Sequence, residues 1–199
     1  MIFLYRRLFR PLHTRESAWS RGVVGEVLAE VKEQRDSSDD TRSATRSRLD
    51  GALRALERGF YLRNDYYNGI NFAYVLNERA VEQTDPAEAT ADVIVARHVR
   101  REVRDIAEAW LKESSEPGKE QPPDKIFWVH ATLAEAFLGL GDETASALWL
   151  EKANALTPAP AAWMRETADT QLDSLRKLLV AAAAKGIPQA APPAGADHS

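Results

Sequence analysis

The chain has 199 residues, of which 44% are hydrophobic and 28% charged, and its formal net charge is −4. This length is enough for one well-packed core, so we expect one folded domain with a tail. The acidic balance provides no broad attraction to nucleic acid or to an anionic membrane surface. No cysteine is present, which excludes disulfides, thiolate metal sites and cysteine nucleophiles.

The start of the chain does not follow the pattern of a signal peptide. Its apolar run, residues 2–5, precedes the first arginines, whereas a signal peptide has about 7–15 apolar residues after a basic start. No later run approaches the roughly 20 apolar residues that cross a bilayer. We therefore expect a soluble, cytoplasmic protein with no membrane partner. Whether Met1 is the natural start or marks a truncation stays open.

Apolar residues recur at the spacing of an amphipathic helix along most of the chain. No alternating apolar and polar run bounded by turn residues indicates a strand. The pattern predicts helices over 15–34, 44–60, 65–82, 85–113, 125–140, 142–156 and 161–183. The polar run 35–43 is predicted to be a loop, and 1–14 an N-terminal segment. The Pro- and Ala-rich end, 185–199, has little to bury and is expected to be disordered.

Aspartate and proline mark the starts of three predicted helices. The carboxylates of Asp65 and Asp142 can accept hydrogen bonds from backbone N–H groups that a helix leaves unpaired in its first turn. Asp85 can do the same, and Pro86 suits the first helical position. Because Gly141 directly precedes Asp142, almost no connection remains, and the helices on either side must fold back antiparallel.

Helix pairs joined by short turns indicate a repeat protein. Residues 127–160 fit one tetratricopeptide unit when Pro158 is taken as its closing proline. The alignment places the following residues at positions that pack between helices: Leu133, Ala134, Phe137, Ser146 and Ala153. The predicted fold is an all-α, tetratricopeptide-like solenoid of antiparallel helix pairs, with about six helices in a domain over 15–184.

Two segments, GFYLRNDYYNGINFAYVL and FWVHATLAEAFLGLGDETAS, carry a more specific resemblance. They resemble the TRAF-binding domain that lies ahead of the kinase in apoptosis signal-regulating kinases and that also occurs in kinase-free bacterial proteins. The first motif matches at Asp65, Tyr66, Tyr67, Gly69, Ile70 and Asn71. The second matches at Trp128, Ala131, Thr132, Ala134, Glu135, Ala136, Gly141 and Asp142. The resemblance covers about residues 15–180 and implies a tetratricopeptide-type regulatory region that binds other proteins.

No pattern in the sequence supports catalysis or a cofactor. The sequence lacks a Gly-rich phosphate loop, a kinase catalytic loop, DFG, a nucleophile elbow and a dinucleotide-binding motif. No two histidines have the i,i+3 or i,i+4 spacing of a metal pair, since they are His13, His98, His130 and His198. We therefore predict a protein that is not an enzyme and has no catalytic residue, cofactor site or metal site.

The residues most suited to an interaction site are Asp65, Tyr66, Tyr67, Gly69 and Asn71. Gly69 lets another backbone approach, and Asn71 brings an amide to a largely apolar surface. The structural alternative is a capped helix with a close crossing, tyrosines in the core and one amide satisfied within the fold. The sequence favours this alternative.

A second candidate is a row of arginines on one face of the helix 85–113: Arg97, Arg100, Arg101 and Arg104. These side chains could bind phosphates or an acidic partner. Asp105 and Glu108 follow Arg101 and Arg104 by four residues and would neutralise part of the charge. A solvated outer face is therefore favoured over a nucleic-acid site.

The sequence thus predicts a scaffold that binds a partner protein or another copy of itself. One alternative is a regulatory fragment whose catalytic domain lies on a separate chain. Another is a ligand- or nucleotide-sensing regulatory domain of a bacterial signalling or defence system, which would use Tyr67, Asn71 and the arginine row. The bacterial assignment rests on the excess of 19 Arg over 7 Lys, a bias typical of GC-rich genomes.

Overall fold

The computed structural model describes residues 39–188, and their side chains from residue 46 onward. Within this range the chain is all-α, as predicted, and contains no strand. Its helices are α1 (Asp39–Arg63), α2 (Tyr66–Glu82), α3 (Pro86–Ser114), α4 (Pro123–Gly139), α5 (Glu143–Asn154) and α6 (Ala162–Ala184). The predicted segment 1–14, the predicted helix 15–34 and residues 189–199 lie outside the described residues.

The chain forms two compact units, Met1–Arg63 and Asn64–Ser199, and α1 belongs to the first. Helix α1 begins at Asp39, so the predicted loop 35–43 is wrong for its last five residues. Asp, Ser and Thr are favoured in the first turn of a helix as well as in loops, so composition alone did not separate the two. The predicted apolar stripe of α1 is buried, with every member at most 4% exposed: Leu49, Ala52, Leu53, Leu56 and Phe60.

The second unit contains α2 to α6, and its three predicted aspartate caps are confirmed. Asp65 Oδ1 accepts a hydrogen bond from the backbone N–H of Asn68 at 2.8 Å. Asp85 Oδ1 accepts one from a backbone N–H of the first turn of α3 at 2.8 Å, and Asp142 Oδ1 accepts one in the first turn of α5 at 2.8 Å. Each cap satisfies a donor that the helix itself leaves unpaired, which fixes where α2, α3 and α5 begin.

The order in which the helices pack is consistent with a helical repeat. Helix α2 packs on α3, α3 on α4, and α4 on α5. Only residues 140–142 separate α4 from α5, so the chain reverses between them. The last helix, α6, packs mainly on α4 and α2 rather than on its predecessor α5. Helices α2, α4 and α6 therefore surround a common interior.

Two polar contacts join helices of this unit. The guanidinium of Arg79 on α2 donates to both carboxylate oxygens of Asp92 on α3, at 2.9 and 2.6 Å. Lys185, just after α6, donates to the backbone carbonyl of Val81 near the end of α2. The tail 185–199 is predicted to be disordered, but its described residues, 185–188, pack on this unit. Ile187 is only 4% exposed.

An apolar cluster fills the space between α3, α4 and α5. Its fully buried centre is Ala107, Val129 and Leu133. Larger, partly buried side chains pack around this centre: Tyr66, Trp110, Leu111, Phe137 and Trp149. Of the positions that the repeat alignment places between helices, Leu133, Ala134 and Ala153 are fully buried and Ser146 is 2% exposed. Small residues at a helix crossing let the backbones approach closely.

Gly139, at the end of α4, is required by a neighbouring side chain. A Cβ at this position would lie 2.2 Å from Nε and 2.4 Å from Cδ of Arg100 on α3. Arg100 is fully buried, so it has no free space into which to retreat. The close approach of α3 and α4 therefore depends on a residue without a side chain.

We expect Gly139→Ala to lower the free energy of unfolding by about 2 kcal/mol, because overpacking outweighs the gain in helix propensity. The matched control is Gly51→Ala in α1, where an added Cβ meets nothing within 4 Å. That substitution should raise stability by up to about 1 kcal/mol. Urea unfolding followed by circular dichroism measures both, and equal effects at the two positions would refute the steric argument.

Candidate functional site

A buried polar cluster lies where α2, α3, α4 and α6 meet. Its charged or ionisable members are Tyr74, Glu78, Arg100 and Glu135, and α6 adds the neutral side chains of Gln171 and Ser174. The ionisable members are at most 5% exposed. Polar side chains so deeply buried lose hydration, and this loss must be offset by partners inside the protein. We call this set of six residues the Arg100 cluster.

Arg100 is the least satisfied member of the cluster. Its side chain is fully buried, and none of its three guanidinium nitrogens has a hydrogen-bond acceptor within the described residues. Burial lowers the pKa of Arg100 to about 10, although Glu135 and Tyr74 act in the opposite direction. The group thus remains a cation at neutral pH. A buried cation without acceptors is costly, since it has lost water and gained no hydrogen bond.

Glu135 faces this cation from α4, one helical turn before Gly139. Burial raises the pKa of Glu135 to about 7, and the charge of Arg100 and a hydrogen bond with Gln171 offset only part of this effect. Its Oε1 atom has no hydrogen-bond partner among the described residues. Arg100 and Glu135 are therefore close enough to interact electrostatically, but neither satisfies the other by a hydrogen bond.

Tyr74 links the cluster to α2 and α6. Its hydroxyl donates a hydrogen bond to Oε1 of Glu78 at 3.2 Å, one turn further along α2. Burial, followed by the charges of Glu78 and Glu135, raises the pKa of Tyr74 well above its usual range, and a hydrogen bond with Ser174 opposes this. The phenol therefore stays neutral and acts as a hydrogen-bond donor at any physiological pH.

The burial of Arg100 corrects the predicted solvated arginine row. Arg100 shares its side of α3 with Ala96, Val103 and Ala107, all of which are fully buried. The spacing 96, 100, 103, 107 is that of a helix core face, so an arginine occupies a core position. This spacing is visible in the sequence, but an arginine is almost never fully buried without a partner.

The other arginines of the row lie outside the core. Arg101 is exposed, and Arg97 is partly buried, with its Nε lacking an acceptor among the described residues. Arg104 pairs with the adjacent Asp105 at 2.7 Å, rather than with Glu108 one turn away. The charge of Arg104 is thus partly neutralised, as predicted, but by Asp105 instead of Glu108.

The predicted interaction motif at the start of α2 satisfies its polar groups locally. Asp65 accepts hydrogen bonds from both the backbone and the side-chain amide of Asn68. The amide of Asn71 donates to the backbone carbonyl of Tyr67 at 2.7 Å, one turn earlier. Gly69 is buried within the helix. These contacts are those of the structural alternative, a capped helix with an internally bonded Asn.

Tyr66 of the same motif contributes to the apolar cluster. Its ring packs edge-on against Trp110, with 6.2 Å between ring centroids. Burial, together with the charge of Asp65, raises the pKa of Tyr66 to about 12. Of the residues predicted for the two candidate interaction sites, only Arg100 belongs to the Arg100 cluster.

His130 on α4 has no partner suited to acid–base chemistry. It packs against the ring of Trp149 at 5.3 Å, and its Nδ1 has no hydrogen-bond partner among the described residues. Burial lowers the pKa of His130 and outweighs a hydrogen bond with the backbone of Lys152, and the ammonium of Lys152 adds to the lowering, which favours the neutral imidazole. Within residues 39–188, no group of three acidic or histidine side chains is placed to hold a metal ion.

Comparison with known proteins gives no external guide to this chain. No family model, no curated protein and no solved structure matches it. The helices of the described region include none that is long and apolar enough to cross a membrane. The functional argument therefore depends on the side chains themselves.

We expect the stability of the protein to fall as the pH rises from about 4.5 to about 7, because of Glu135. Burial raises the pKa of Glu135 from 4.5 to about 7, so between these values the folded state holds a proton that the unfolded chain releases. The resulting stabilisation is complete below the lower value and is lost above the upper one, a change on the order of 3 kcal/mol.

Glu135→Gln should remove this part of the pH dependence, since an amide does not titrate. Urea unfolding at about pH 5.5 and about pH 8 measures the difference, and the exposed Glu108→Gln is the control. If the wild type and Glu135→Gln lose the same stability over this interval, Glu135 does not titrate there.

Proposed function

We propose that this chain is a protein–protein interaction module of the tetratricopeptide type, without catalytic activity of its own. The proposal rests first on the order of helix packing and on the short, aspartate-capped reversal between α4 and α5. The resemblance of the motif from Asp65 to Asn71 to the TRAF-binding domain supports the same assignment. In this interpretation the motif forms the start of a repeat helix, and the contact surface lies elsewhere.

The observation that carries the proposal is the exposure of two adjacent aliphatic side chains on α3. Ile94 is 56% and Val95 40% exposed, whereas Val99 and Val103 on the core side are fully buried. Exposed Ala87 and Ala91 precede them at helical spacing and extend the apolar strip along the first half of α3. We take this strip as the docking site for another protein or another copy of the chain, since contiguous exposed apolar surface marks such sites.

The proposal predicts that Ile94→Asp combined with Val95→Asp abolishes association, because each carboxylate would have to be desolvated in the interface. Sedimentation velocity measures self-association, and crosslinking in cells followed by mass spectrometry measures contact with a partner. Unchanged thermal unfolding of the variant shows that the fold is retained. The matched control is Val180→Asp on α6, since Val180 is 69% exposed and outside the strip.

The proposal is wrong if the wild-type chain is monomeric and has no reproducible crosslinked partner. It is equally wrong if the double variant associates as the wild type does. Loss of association in Val180→Asp as well would move the interface from α3 to a broader surface.

A ligand-sensing regulatory domain is the second candidate, and one observation favours it. Arg100 is a fully buried cation without a hydrogen-bond acceptor among the described residues, at the junction of four helices. Tyr67 and Asn71, which the sequence suggests for this function, do not form that junction. A sensing function would therefore involve the Arg100 cluster instead.

A further inference from the structure

The guanidinium of Arg100 has the donor pattern that an oxyanion requires. Its N–H groups form a planar fork, which matches two oxygens of a phosphate or carboxylate group. In the structure all three nitrogens lack acceptors among the described residues. The guanidinium, the protein group best suited to binding such an anion, is therefore unused in the low-dielectric interior of this structure, which we call the closed arrangement.

The surrounding helices carry further groups that can hydrogen-bond an anion. Tyr74 on α2 brings a neutral hydroxyl, and α6 brings the amide of Gln171 and the hydroxyl of Ser174. Each would exchange a hydrogen bond that it now makes within the cluster for one to the anion. Because Gly139 has no side chain, it leaves room for the guanidinium against the end of α4, and any larger residue would displace it. Four separate helices thus converge on one buried cation.

Entry to this interior requires a helix to move. Arg100 is fully buried, so no ligand reaches it in the closed arrangement. Helix α6 packs on α2 and α4 and carries both Gln171 and Ser174, so its displacement would open the cluster. The cost of an unpaired cation raises the energy of the closed state, and an anion that supplies acceptors would shift the population toward a bound state.

We propose that Arg100 anchors a site for a small oxyanion, a phosphate or carboxylate group, enclosed by α2, α3, α4 and α6. This proposal deepens the second candidate function and does not depend on the surface of α3. The phosphate could belong to inorganic phosphate or to a nucleotide, and the carboxylate to a small organic acid.

Glu135 couples this site to protons. An ionised Glu135 would repel the anion, whereas a protonated Glu135 can donate a hydrogen bond to it. The other charged or titratable groups around it are Arg100 on α3 and Tyr74 and Glu78 on α2, while α6 contributes only the uncharged Gln171 and Ser174. Because burial raises the pKa of Glu135 to about 7, binding should weaken as the pH rises through neutrality.

The test is a thermal-shift and calorimetric titration of the full chain with inorganic phosphate, ADP and succinate. Added sodium chloride is adjusted to keep the ionic strength constant, so general screening is the same in each titration. We expect a saturable rise of several degrees in the melting temperature with at least one of the three anions. The pattern among them identifies phosphate, nucleotide or organic acid as the source of the oxyanion.

Arg100→Met should remove the saturable shift, and Arg101→Met, the same change at the exposed neighbouring residue, should keep it. Arg100→Lys retains the charge without the fork and should weaken binding by roughly tenfold, which keeps the test informative if Arg100→Met does not fold. Relative to Glu135→Gln, the wild type should lose affinity between about pH 6.5 and about pH 8, a comparison that cancels the titration of the phosphate group itself.

Absence of saturable binding in the wild type would overturn the proposal. An equal shift in Arg100→Met, or undiminished affinity in Arg100→Lys, would also overturn it and would show a non-specific ion effect. The protein-interaction proposal is tested independently of the anion site. The Ile94 and Val95 double variant should bind the anion as the wild type does.

Discussion

The side chain of Arg100 crosses from α3 to the end of α4 inside the second unit, and its bulk and charge constrain the residues around it. Its bulk excludes any side chain at position 139. Its charge is not neutralised by a hydrogen-bonded carboxylate, since Glu135 is itself so buried that ionisation is disfavoured. Replacing such groups by well-packed apolar residues often stabilises a protein, so stability alone does not explain their presence.

The helices of the second unit could be predicted closely because their starts carry specific chemistry. Asp65, Asp85 and Asp142 each precede an apolar periodic segment and each accept the expected backbone hydrogen bond. Helix α4 begins at Pro123, two residues before its predicted start, because proline also fits a first turn. The start of α1 was wrong because residues 39–43 have a composition shared by loops and helix starts.

The Arg100 cluster could not be predicted in the same way. Its members come from four helices, so their proximity depends on tertiary packing that no short motif encodes. Arg100 itself is predicted from the sequence to lie on the surface because of its charge, although its spacing with Ala96 and Val103 is that of a core face. The motif at Asp65 is visible in the sequence for the opposite reason, since its polar residues are close along the chain and satisfy one another there.

The bond from Lys185 to the carbonyl of Val81 joins residues 104 positions apart in the chain. With the packing of α6 on α2, it brings together the first and last described helices of the second unit. An open repeat array frays from its ends, because a terminal repeat contacts only one neighbour. Here neither end is terminal in space, so detaching one exposes the other. The unit should therefore unfold as a single cooperative body.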